Sequence, residues 1–305
     1  MKLWKEYAIE PSLFANYHLG NEILSGIGTD NGRIVGALPR RWQREVRRAT
    51  VGQREIERLR ILERLVELRD AIVARPYQWD GERAWREQVF EVHDRGPFDG
   101  ILLDGPDNRQ NAIDATLGLA GVQCWVSDRT LTMPRIGATL AQVLKPILSL
   151  ARTVIVVDAY FDPSRPLRQS KWLRPLQALC AVLPEDGRLT RFEAHALNPR
   201  DLRRRWEAGT FAASCRNNLG AALPPGIRIN AMLWGERDGG VQFHERLIVT
   251  DVGGVVVDPG IDEGLDGETY TVRLLSNREI PAYLAKFAPA TAPFDLVENE
   301  EVIGT

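Results

Sequence analysis

Residues 153–160, Thr-Val-Ile-Val-Val-Asp-Ala-Tyr, form a nearly unbroken apolar run with an aspartate close to its end. A run that long without alternation reads as a strand buried on both faces. Such a strand needs neighbouring strands at its sides and helices above and below, which restricts the chain to an α/β arrangement. The flanking pattern agrees. A helical stretch over 136–150 leads in, and a helix over 171–182 follows. Then come a strand over 189–197, an arginine-rich helical region over 200–219 and a strand over 227–234. Residues 242–250 alternate as a strand, Gly253-Gly254 marks a tight turn, and Val255-Val256-Val257 and 270–275 supply further strands. The expectation is a mixed sheet flanked by helices.

The first 140 residues read differently. Residues 1–50 form short helical pieces broken by Gly and Pro. The apolar positions of 54–75 recur at three- and four-residue steps, as in an amphipathic helix ended by Pro76. A second helix is expected over 82–92, with strand-like segments at 100–103 and 123–125. The predicted organisation is therefore a mostly helical N-terminal module with short strands (1–140), an α/β domain (141–290) and an acidic C-terminal tail (291–305).

With 39 basic and 41 acidic residues the net charge is −2, which argues against non-specific coating of nucleic acid. Charge is nevertheless uneven. Nine arginines fall between Arg33 and Arg60, a surface that fits either a polyanion or a solvated helix face. The chain holds no apolar run of the roughly 18–20 residues that span a bilayer. Its start lacks the apolar core of a signal peptide, and three scattered cysteines make no disulfide framework. A cytoplasmic protein without a membrane partner is expected. Neither a zinc spacing nor a phosphate-loop or dinucleotide motif occurs, so neither metal nor cofactor is expected.

The chemistry concentrates in His244-Glu-Arg246-Leu-Ile-Val-Thr-Asp251. On a strand, His244 and Arg246 project from one face, because side chains alternate with a period of two. An imidazole beside a fixed cation suits attack on a phosphodiester: the guanidinium holds the anion and the ring supplies nucleophile or proton. An ordinary exposed strand histidine is the competing reading. His93 has its carboxylate at +6 rather than +7, with Pro97 between them. His195 lies on an expected core strand, and His18 has no partner in sequence. Asp158 and Tyr160 are expected at the carboxyl edge of the opening strand, where substrate can reach them. The run Arg203, Arg204, Arg205 before Trp206 fits a nucleic-acid backbone, although such a run is more often a solvated helix face with one anchored aromatic.

The order of motif, hairpin, glycine turn and later carboxylate resembles the phospholipase D-like superfamily, whose signature is His-x-Lys-x4-Asp. The resemblance covers roughly residues 140–290. It implies a phospholipase D-like α/β sandwich and a metal-independent phosphodiesterase that forms a phospho-histidine. It further implies that His244 is the nucleophile, Arg246 the phosphate-binding cation in place of lysine, and Asp251 or Glu268 the carboxylate that orients the ring. Because that chemistry uses two histidines and one motif is present, a homodimer with a shared site is expected. The local arginine clusters favour nucleic acid, DNA or RNA, as substrate. Single-motif members occur in restriction and phage-defence systems, so such a role is the corresponding expectation. The sequence departs from the pattern at Pro259-Gly260-Ile261-Asp262, where a Gly-Ser-x-Asn is usual. That departure supports the alternative of a catalytically inactive subunit that binds nucleic acid or other protein subunits.

Overall fold

The computed structural model describes residues 2–75, 77–126, 128–201 and 205–304, in two compact units that meet in sequence at residues 129 and 130. Among the described residues no helix is long and apolar enough to cross a membrane.

The unit of residues 2–129 is built on five parallel strands, β1 (Lys5–Ile9), β2 (Arg33–Ala37), β3 (Ile72–Ala74), β4 (Gly100–Leu103) and β5 (Ala112–Asp114). Their order is β3-β2-β1-β4-β5. Helices α1 (Tyr17–Gly26), α2 (Trp42–Ala49), α3 (Glu55–Glu67) and α4 (Trp85–Arg95) make the connections. This corrects the expectation of a mostly helical module. The sheet is easy to miss because each strand is three to five residues long and, β4 with β5 apart, the paired segments are distant in sequence. Four residues such as Gly100–Leu103, buried throughout, carry no period that separates strand from helix. The amphipathic helix is also shorter than expected: α3 ends at Glu67, and Ile72 and Val73 extend into β3. Residues 123–125 form a turn and not a strand, and Pro76 lies outside the described residues.

The unit from residue 130 carries eight strands in the order β13-β9-β8-β7-β10-β11-β12-β6. In chain order these are β6 (Thr130–Pro134), β7 (Thr153–Asp158), β8 (Arg191–Leu197), β9 (Arg228–Gly235), β10 (Arg246–Thr250), β11 (Gly254–Asp258), β12 (Thr269–Leu274) and β13 (Asp295–Ile303). The pairs β7·β8 and β8·β9 are parallel and the rest antiparallel. Helices α5 (Gly137–Leu148), α6 (Leu173–Cys180), α7 (Thr210–Asn218) and α8 (Glu279–Lys286) accompany the sheet. The fold class is thus mixed α/β, with one parallel and one mixed sheet flanked by helices.

Two boundaries move. The unit starts at residue 130 rather than 141, because β6 pairs with β12 (Thr132 opposite Thr271), a partner about 140 residues away that no local pattern announces. The expected acidic tail is instead the nine-residue edge strand β13, joined to β9 from Asp295 to Ile303. Its acids are used individually. Glu298 accepts from Gly209 N and Ala212 N (both 2.8 Å) at the start of α7, Glu300 pairs with Arg216 at 2.5 Å, and Glu301 with Arg228 at 3.3 Å. Charged side chains on an edge strand also discourage further strand addition.

On one face of the sheet, Ile155, Val157, Met232, Trp234, Phe243, Leu247 and Val249 join Ile280, Phe287 and Phe294 in one apolar cluster. This assignment fixes which way the motif strand faces.

Candidate active site

Phe243, Leu247 and Val249 enter that cluster, and Glu245 pairs with Lys286 of α8. Odd positions therefore face α8, and the two-residue period places Arg246 and Ile248 on the opposite face. The regular strand is shorter than the expected 242–250. It begins at Arg246, and His244 lies just before it, outside the strand and exposed. The His244 backbone N–H donates to Glu245 (3.2 Å).

Arg246 stands directly across from Asp158, the last residue of β7. Its guanidinium lies 5.2 Å from the centre of the Tyr160 ring, and its Nε is buried with no hydrogen-bond partner. A buried guanidinium N–H without an acceptor is costly, and an anion is the group that would satisfy it. The chain thus holds a cation in place by stacking and leaves its hydrogen-bonding capacity unspent. Tyr160 is itself exposed, as expected of a residue that substrate can touch.

Asp158 does a different job from the one expected of it. Only 1% exposed, it accepts from Tyr160 N (2.9 Å) and from Ile261 N (2.8 Å). It therefore ties the end of β7 to the β11–β12 loop and positions its neighbours without reaching substrate. Gly260 is pressed against it: a Cβ there would sit 3.0 Å from both Asp158 Oδ2 and Asp262 Oδ1. Burial pushes the Asp158 carboxyl up to about 6, against the lowering effect of its two backbone donors and of Arg246. In the unfolded chain an aspartate titrates near 3.9, so between about pH 4 and 6 the folded state holds the extra proton. Stability contributed at this residue therefore falls as pH rises through that window, by about 2–3 kcal/mol. Urea unfolding of wild type and Asp158→Asn from pH 4 to 7 checks this. The wild-type advantage is expected to shrink with rising pH, and a constant difference would contradict the assignment.

The departure at Pro259-Gly260-Ile261-Asp262 fills its space with an ion network. Asp262, buried, pairs with Arg135 and with Lys171 (2.7 Å). Tyr270 Oη donates to the carbonyls of Ile261 and Asp262 (both 3.0 Å). Arg135, Lys171, Asp262 and Tyr270 were not anticipated. Arg135 and Asp262 lie 127 residues apart in sequence, and the one legible sign was the unusual tetrapeptide itself.

The two expected orienting carboxylates are elsewhere. Asp251 sits just past the other end of β10, about 16–17 Å from Arg246 at the usual rise of a strand. There it accepts from Arg152 N (2.8 Å) and Thr153 N (3.0 Å), capping the start of β7. Glu268 stands at the correct edge of the sheet but is taken up by Arg135 (3.3 Å) and Leu265 N (3.0 Å). Neither reaches the His244 ring, which corrects both assignments. Arg205 is exposed, while Arg203 and Arg204 lie outside the described residues. Trp206 packs edge-on against Phe211 (5.3 Å) as a partly buried anchor.

The other histidines have structural partners. His93 Nδ1 accepts from Phe98 N (3.2 Å). His195, fully buried, accepts at Nδ1 from Trp234 Nε1 (2.8 Å), so its proton resides on Nε2 and is directed to Glu193 (3.1 Å). Burial holds His195 below its usual range, against the pull of Glu193. Among the described residues no three His, Cys, Asp or Glu side chains are grouped to hold a metal ion.

No protein-family profile matches this sequence, and no curated protein matches it. Among solved structures the chain is similar to TrmBL2, described as an archaeal chromatin protein with a novel mode of DNA binding. The two are 13% identical over 75% of this chain and 80% of that one, with a TM-score of 0.25. A score that low does not define a shared fold.

Proposed function

We propose that the C-terminal unit is a phospholipase D-like phosphodiesterase that acts on DNA or RNA as a homodimer. The observation that carries this reading is Arg246, held over Tyr160 with an unpartnered buried N–H, with the exposed His244 two residues earlier in the chain. In the proposed reaction Arg246 binds the non-bridging phosphate oxygens, and a His244 nitrogen attacks phosphorus. The bond to the leaving oxygen breaks and that oxygen takes a proton from His244 of the second copy. The same imidazole then removes a proton from water, which hydrolyses the phospho-histidine and restores the first ring. Asp158 and Gly260 set the floor under Arg246.

One observation favours a second reading, an inactive subunit that binds nucleic acid or protein partners. Among the described residues no carboxylate is hydrogen-bonded to the His244 ring, and Arg135 and Lys171 are already engaged by Asp262. A combined test separates the two. Labelled DNA and RNA are incubated with wild type, Arg246→Lys and Arg246→Ala in chelator, and the solution mass is measured. Cleavage by a dimer, reduced about tenfold or more in Arg246→Ala and less in Arg246→Lys, is expected if the guanidinium holds phosphate. A monomer that binds nucleic acid without cutting it would establish the second reading.

A further inference from the structure

The N-terminal unit holds none of the residues of the proposed His244 site, yet its sheet is of the kind that binds ligands. In open parallel sheets, ligands lie in crevices outside the carboxyl ends of the strands. Two clefts open there. One, of about 330 Å³, lies beyond β1, β4 and β5; its lining includes Ser12, Asn16, Glu22, Asp104 and Thr116 and no lysine or arginine. The other, of about 350 Å³, lies beyond β2 and β3 and is lined chiefly by Arg40, Arg41, Tyr77, Trp79 and Trp85. Both fall at the lower end of the range for small-molecule sites, roughly 300–1,000 Å³. Their charges are opposite, and an anion can settle only in the second.

The rings of that cleft are held in place. Tyr77, Trp79 and Trp85 pack on the core formed by Leu38, Val89 and Phe90. Trp85 Nε1 donates to Leu38 O (2.8 Å) and Tyr77 Oη to Glu91 (2.7 Å). Tyr77 and Trp79 meet edge to face, 6.3 Å apart. By contrast, among the described residues the side chains of Arg40, Arg41 and Trp79 make no hydrogen bond or ion pair. Glu45, the one acid of the lining, pairs with Arg48 at 2.9 Å. Arg41 is also the residue that precedes α2, and no side chain caps the N–H groups of its first turn. Two free guanidinium groups beside an uncapped helix N-terminus favour phosphate, and fixed aromatic faces favour a base.

We infer that this cleft binds a nucleoside monophosphate unit, its phosphate on Arg40, Arg41 and the start of α2, and its base against Trp79 and Trp85. The unit comes either from free nucleotide or from single-stranded nucleic acid. Exposed Arg44 and Arg47 on α2 offer a path for a longer backbone.

The test is fluorescence anisotropy of the full chain with a labelled, 5′-phosphorylated dT12, competed by AMP, adenosine or inorganic phosphate, with direct calorimetry of AMP alongside. Both halves of the unit are needed, so AMP is expected to compete at least tenfold better than adenosine or phosphate. Arg40→Glu/Arg41→Glu, two exposed positions, is expected to weaken binding at least thirtyfold with an unchanged circular dichroism spectrum, and Trp79→Leu about tenfold. Binding of both AMP and the oligonucleotide assigns free nucleotide as sufficient. Binding of the oligonucleotide alone, lost in the double arginine variant, assigns the polymer. No binding of either, or binding unaltered by the arginine variant, overturns the inference. Binding that Arg40→Glu/Arg41→Glu removes belongs to this cleft and binding that Arg246→Ala removes belongs to the His244 site, so the two outcomes are distinguishable.

Discussion

His244→Ala is expected to abolish phosphodiester cleavage, lowering the rate on the order of 10⁴-fold, since it removes nucleophile and proton donor together in a symmetric dimer. Cleavage of labelled DNA and RNA by purified wild type and variant measures it. A mixing experiment makes the prediction sharper. If two His244 rings share one site across a twofold axis, a mixed dimer is inactive. An equal mixture allowed to exchange subunits then retains about a quarter of wild-type activity, against a half for independent sites. Equal cleavage by wild type and His244→Ala would remove His244 from the mechanism, whatever the mass of the assembly.

Trp234→Ala is expected to cost about 3–5 kcal/mol in urea unfolding, the range for emptying a large buried aromatic site. Trp234 is 1% exposed, stacks on His195 at 5.9 Å and 11°, and supplies the N–H that His195 Nδ1 accepts. Trp234→Phe separates packing from hydrogen bonding. It keeps a ring in place and strands a buried acceptor, for an expected loss of about 1–3 kcal/mol. A Phe variant within about 0.5 kcal/mol of wild type would show that the His195–Trp234–Glu193 chain contributes nothing beyond volume.

The C-terminal unit was legible in outline because its strands are long or strongly patterned. The run 153–160 has the composition of a doubly covered strand, and β7 occupies Thr153–Asp158 of it. The alternation after Phe243 put Arg246 on the correct face. In the N-terminal unit the strands are too short to carry a period, so its parallel sheet was not visible. The proposed site was read from the sequence on similar grounds. Spacing along one strand located His244 and Arg246, but it also drew in Asp251, which the same strand carries to its far end, and Glu268, which Arg135 engages.

Local pattern alone determined the α/β class of the C-terminal unit and the spacing of a histidine two residues before an arginine at the start of a strand. Tertiary structure alone decided that Asp158 is a buried clamp, that Asp262 engages Arg135 and Lys171, and that residues 295–303 form an edge strand. The physical reason is range. Backbone periodicity acts over a few residues and is written in sequence order. Burial and ion pairing depend on which distant segments meet, and 127 residues separate Arg135 from the carboxylate that holds it.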